Sequence, residues 1–251
     1  MCLLALAYQH HPHFPLIALA NRDEYYARPT ALLHWWEDTG HTVVAGRDLK
    51  DGGTWMGMSR HGKFAALTNY RAPEHRRANA PSRGRLVEDF LTGNLPLNDM
   101  VGFLRTHGRQ FNGFNLVYGT PEEMFYYSNV DDRHRQLYPG IYGLSNAYLD
   151  TPWPKVSKLK SAFTEALSKP VSEEALLDLM TDTETAPDEQ LPHTGVPLEW
   201  EKRLSALFIT SSEYGTRLTT FVSVDQKGTA VYREKGYAPV SDTRCTFSLQ
   251  S

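Results

Sequence analysis

Residues 2–25 read CLLALAYQHHPHFPLIALANRDEY. Two apolar runs, CLLALAY and LIALA, flank QHHPHFP, whose histidines and prolines interrupt them. Such runs, with a polar, proline-bearing break between them, read as antiparallel strands joined by a turn. This reading decides the fold, because it starts the chain inside a sheet and returns the NRDE segment beside Cys2. A secretory leader is the competing interpretation, since Ala18, Leu19 and Ala20 have the small-x-small spacing of a cleavage site. No Lys or Arg precedes them, and His10, His11, Pro12 and His13 break the apolar run, so the hairpin is preferred.

Working outward, HTVVAG and KFAALTNY read as further strands, with RDLKDGGT as a turn between them. SRGRLVEDFLTG and NDMVGFLRTHG read as helices, with Ser82 and Asn98 near their starts and Gly93 and Gly108 past their ends. FNLVYG, MFYYSN, QLYPG and IYGLSN are short runs rich in aromatic and β-branched residues. In WPKVSKLKSAFTEALSK, Val156, Leu159, Phe163 and Leu167 recur at helical spacing. EEALLDLMTD is a second helix, and TETAPDEQLPHTGVP a loop. ALFITS, TRLTTFVSV, TAVYREK and TFSLQ read as strands. The order of strands, two helices, strands, two helices, strands predicts an α+β fold with two stacked sheets and helices outside them. No repeat, low-complexity tract or linker interrupts it, so one domain over residues 1–251 is expected. Neither GxGxxG nor GxxxxGK[ST] occurs.

The 251 residues are 41% apolar and 22% charged, ordinary for a globular protein. A net charge of −3 argues against a nucleic-acid partner. No apolar run reaches the roughly 18 residues of a membrane span. The 2 cysteines form neither a disulfide framework nor a metal-ligand spacing, and a reducing cytoplasm is the expected location.

Cys2 follows the initiator methionine, and a small second residue normally allows that methionine to be removed. The chain would then begin with a thiol and its own α-amine. The amine titrates at about 7.7–8.0 and the thiol at about 8.5, so near neutral pH the amine can take the thiol proton. Acyl transfer also needs a group to orient the amine and donors for the oxyanion. Arg22 and Asp23, at the end of the second strand, return beside Cys2. Asn69 in FAALTNYR and Asn146 in YGLSNAYL follow apolar strands, and Arg217 begins another. The plainer readings are a small buried cysteine, a solvated NRDE turn, turn-forming asparagines and a surface ion-pair arginine. HHPH has the composition of a metal or haem ligand cluster, or of a solvent-facing turn.

Eight segments together resemble the NRDE family, also called the transport and Golgi organization protein 2 family. They are MCLLALA, ANRDEYYARPT, AGRDLKDGGTWMGM, FAALTNYRAP, SRGRLVEDFL, FNGFNLVYG, GLSNAYLDTPWPKV and YGTRLTTFVSVDQKG. The resemblance implies an αββα four-layer sandwich of two antiparallel sheets, similar to the N-terminal nucleophile hydrolases. In their cysteine-type members, the penicillin V acylase and bile salt hydrolase group, the site holds an N-terminal Cys, an Arg and an Asp on the second strand, two Asn donors and a distal Arg. Cys2, Asp23, Asn69, Asn146 and Arg217 match those places. Arg22 adjoins Asp23, whereas the relatives separate the two residues, and adjacent strand side chains point to opposite faces. The expected activity is amide (C–N) hydrolysis or acyl transfer by Cys2 on a small-molecule amide, with no cofactor required. Members of the family have also been implicated in haem trafficking and in lipid or acyl-CoA homeostasis. The alternative expectation is therefore a non-catalytic carrier of haem or an acyl lipid, with Cys2, His10, His11, His13 or His34 as the iron ligand.

Overall fold

The computed structural model describes residues 2–250, with the side chains of Cys2 and His75 outside the description. Thirteen strands and five α-helices are described. The first part of the chain holds β1 (Cys2–His11), β2 (Phe14–Tyr25), β3 (Thr30–Trp35), β4 (Val43–Asp48), β5 (Met56–Ser59) and β6 (Phe64–Asn69). Next come α1 (Gly84–Thr92), α2 (Leu97–His107), β7 (Phe114–Gly119), β8 (Met124–Ser128), β9 (Arg133–Gln136) and β10 (Gly140–Leu144). The rest is α3 (Pro154–Leu167), α4 (Glu173–Leu179), α5 (Leu198–Arg203), β11 (Tyr214–Val224), β12 (Thr229–Tyr237) and β13 (Val240–Ser248).

The expected hairpin forms, β1 pairing antiparallel with β2. One sheet has the order β10-β1-β2-β11-β12-β13 and the other β3-β4-β5-β6-β7-β8-β9. Alternation along β1 and β2 builds the layers. Leu4, Leu6, Leu16 and Ala18 pack toward the second sheet, against Val44, Met58, Phe64 and Val117. Leu3, Ala5, Ile17 and Leu19 face the other way and meet Val156, Leu159 and Phe163 of α3 and Leu176 of α4. The outer face of the second sheet is covered by Leu86, Val87 and Phe90 of α1 and Leu104 of α2. The result is the predicted αββα sandwich.

Three local readings differ. The RDLKDGGTWMGM stretch contains the short strand β5 after its glycine turn. Gly53 has φ +75, and a Cβ on it would lie 2.3 Å from the Gly84 backbone, so glycine lets this turn lie against the start of α1. Asn98 sits inside α2, whose N-cap is Pro96. ALFITS is not a strand, although Ala206, Leu207 and Ile209 are buried. Its backbone bonds elsewhere: Leu207 accepts from Asn21, Phe208 donates to the Asp182 carbonyl, and Ile209 donates to the Thr216 hydroxyl. Apolar composition buried this segment, but its polar groups are met by scattered partners, the Asp182 carbonyl, the Asn21 side chain and the amide and hydroxyl of Thr216, and not by a strand ladder.

Candidate active site

Cys2, the first described residue of β1, is register-paired with Arg22 of β2. Its thiol, and the question of Met1, lie outside the described residues. Leu144, the last residue of β10, is opposite Leu4. Asn146 follows β10 by two residues, as Cys2 precedes Leu4 by two. The two therefore share one end of the first sheet.

At that end the two sheets are joined. Asn146 Nδ2 donates to the Asn69 carbonyl at 2.8 Å, and the Arg71 amide donates to the Asn146 carbonyl at 2.7 Å. Asn69 ends β6 of the second sheet, and its half-buried amide has no hydrogen-bond partner among the described residues. A buried network holds the loop after Asn146: Asn115 Nδ2 donates to the Ala147 carbonyl at 2.8 Å, and Tyr126 donates to Asn115 at 2.7 Å.

Arg22 and Asp23 diverge, as strand alternation requires. Arg22 lies over the Trp55 ring, 4.1 Å from its centroid, and donates to Thr30 Oγ1 at 3.0 Å. Gly46 makes room for that indole, since a Cβ there would come within 2.5 Å of it. Glu234, on the same side, takes the Leu33 amide at 2.8 Å, and burial pushes its carboxyl up to about 7. Asp23 lies on the helix side, 1% exposed, and accepts from Thr216 at 2.6 Å. Burial raises its pKa, against the charge of Lys155, the Thr216 hydrogen bond and the charge of Arg71.

Arg217 occupies a bulge, the β11–β2 register shifting between Thr216 and Leu218. Its guanidinium donates to the carbonyls of Tyr25, Arg28 and Ala238. It thereby ties the β2–β3 and β12–β13 connections together.

The structure thus brings Cys2, Arg22, Asp23, Asn69, Asn146 and Arg217 to one end of the sandwich. His10, His11 and His13 lie at the opposite end of β1, about nine residues and roughly 30 Å from Cys2. His10, His13 and His34 are exposed, and none of the four histidines lines either concavity described, on α3 or beside Arg71. Among the described residues no group of three His, Cys, Asp or Glu is placed to hold a metal ion, and no helix is long and apolar enough to cross a membrane.

Trp55, Arg71, Lys155, Thr216, Glu201 and Glu234 were not predicted. Arg71 and Lys155 lay inside quoted motifs, FAALTNYRAP and DTPWPKV, beside apolar anchors. Only folding shows that both are buried, at 9% and 2% exposed.

The transport and Golgi organisation 2 family model matches residues 1–239. The transport and Golgi organization protein 2 homolog of Bos taurus is 33% identical, over 97% of this chain and 96% of that protein. The Homo sapiens homolog is 33% identical over 94% and 92%. Among solved structures, a variant of conjugated bile acid hydrolase from Clostridium perfringens superimposes with a TM-score of 0.50 at 9% identity, covering 98% of this chain and 92% of that one. That likeness is one of fold, an N-terminal nucleophile hydrolase sandwich, and the sequence match over nearly the whole length is decisive: the chain belongs to the transport and Golgi organisation 2 family.

Proposed function

We propose that this protein is an amide (C–N) hydrolase or acyltransferase-like protein whose nucleophile is Cys2 after removal of Met1. The observation that carries the reading is the placing of Arg22, Asp23, Asn69 and Asn146 at the one end of the sandwich where β1 begins. Asp23 is one step from Arg22 along β2, toward the start of the chain, where the α-amine of a processed protein lies. In the reaction Cys2 Sγ attacks the amide carbon, and its proton passes to the α-amine and then to the leaving nitrogen. A water releases the acyl group from the thioester. Asp23 holds the amine. The Asn69 amide and the second N–H of Asn146 stabilise the oxyanion, each worth on the order of 3 kcal/mol. The solved fold relative is named as a conjugated bile acid hydrolase, which supports a hydrolytic reading.

The test is the N-terminal mass of the mature protein, followed by turnover of a panel of acyl p-nitroanilides. We expect a mass lacking Met1, and turnover at least about 1000-fold lower in Cys2→Ala. A retained Met1 in functional protein, or undiminished turnover in Cys2→Ala, overturns the reading.

A second reading has its own observation. Asn146 and Arg217 are already hydrogen-bonded to backbone carbonyls, as in a site given over to structure. On that reading the protein carries haem or an acyl lipid without turnover. Haem titration of the wild type, Cys2→Ala and variants of the four histidines decides it: a saturable Soret shift lost in one variant supports the carrier.

A further inference from the structure

Arg71 is incompletely used. Its Nη1 donates to Glu201 Oε2 at 2.8 Å, but Nε and Nη2 are buried with no hydrogen-bond partner among the described residues. The side chain is 4% exposed. Glu201 cannot supply the missing acceptor, because its other oxygen takes the Thr194 amide at 2.8 Å and the Thr194 hydroxyl. Burial pushes the Arg71 pKa down, opposed by Glu201, Tyr214 and Asp23. Charged donors left dry and unpaired are costly, and native proteins rarely keep two on one group without a use for them.

The two atoms have a defined chemistry. Nε–H and Nη2–H lie along one edge of the guanidinium and form the fork that pairs both oxygens of a carboxylate. Arg71 also lines a cavity of about 340 Å³ with Tyr70, Asn146, Trp153 and His193. That volume suits a small organic ligand. The half-buried Trp153 ring lies against the guanidinium, 4.8 Å from centroid to Cζ.

We propose that the Nε–Nη2 fork of Arg71 anchors the carboxylate of a small-molecule ligand seated in this cavity, and that Trp153 moves aside to admit it. If the Cys2 reading holds, the carboxylate belongs to the amide substrate. Binding itself needs no turnover, so either idea can fail alone.

The test uses full-length Cys2→Ala protein in isothermal titration. Acetate, benzoate and hippurate are each paired with the neutral amide (acetamide, benzamide, hippuramide), with inorganic phosphate as a further arm. At least one carboxylate should saturate about tenfold more tightly than its amide. That preference should vanish when Arg71→Met is added, with circular dichroism checking the fold. Should this variant unfold, Arg71→Lys keeps the charge but lacks the fork, and should lose most of the preference. The proposal is overturned if no carboxylate saturates, if the amides bind equally, if phosphate binds as tightly as the best carboxylate, or if the preference survives substitution of Arg71.

Discussion

Arg71 and Arg217 are both buried, 9% and 5% exposed, and sit near the same end of the sandwich, but they are used in opposite ways. All three nitrogens of Arg217 donate, to the carbonyls of Tyr25, Arg28 and Ala238 and to Thr30. Arg71 donates from one. A guanidinium offers five N–H groups, and in a dry site each one left unmet is destabilising. Arg217 is a completed clamp between backbone segments, whereas Arg71 is half a clamp with an open side. Burial of an arginine therefore says little about its role until its donors are counted.

The contrast can be broken by stability measurements. Arg217→Met removes the side-chain donor from three carbonyls at once, leaving that of Ala238 without its guanidinium partner, and should lower unfolding free energy by about 3–5 kcal/mol, read from the urea midpoint at unchanged slope. A loss under about 1 kcal/mol would show that Arg217 is not a clamp.

Glu234 extends the comparison to acids. One of its oxygens takes the Leu33 amide and the other is buried without a hydrogen-bond partner among the described residues. Its folded pKa, about 7, lies above the ordinary 4.5, so the folded protein holds the proton more tightly. Its contribution is fully present below about pH 4.5 and is lost as pH rises through 7. Glu234→Gln should accordingly be more stable than wild type by about 1–3 kcal/mol at pH 9, the gap closing toward pH 4.5. A gap independent of pH would refute it.

Thr216→Val removes the donor to Asp23 and the acceptor of the Ile209 amide, and should cost about 1–2 kcal/mol in thermal or urea unfolding. The smallest change is expected for the double variant Arg71→Met/Glu201→Gln. Removing a buried pair together leaves no lone charge, and the fork was already unfilled, so stability should stay within about 1 kcal/mol of wild type. A loss as large as that of Arg217→Met would erase the distinction between the two arginines.

The sandwich was legible in the chain because β1 and β2 alternate two kinds of apolar contact, one with the facing sheet and one with α3. The amphipathic pattern of α3 and the glycine that ends α1 were equally readable. The misreading of ALFITS has a single cause: its buried residues carry strand-like composition, while the hydrogen bonds that decide strand membership come from outside the segment, from Asn21 far away in sequence and from Asp182 and Thr216. The opposed faces of Arg22 and Asp23 followed from adjacency alone. The bulge at Arg217, which turns its guanidinium onto three carbonyls, had no local signal.

By itself the sequence determined the hairpin at the start of the chain, the placing of a cysteine at its first strand, and the layered order of strands and helices. Those follow from periodicity and punctuation, which are local. Tertiary structure alone decided that Asn69 and Asn146 join the two sheets, that all three nitrogens of Arg217 donate, and that Arg71 is buried with two donors to spare. Such facts depend on which backbone carbonyls and side chains arrive beside a group from distant segments. Hydrogen-bond satisfaction is a property of that neighbourhood, and no stretch of the chain read alone contains it.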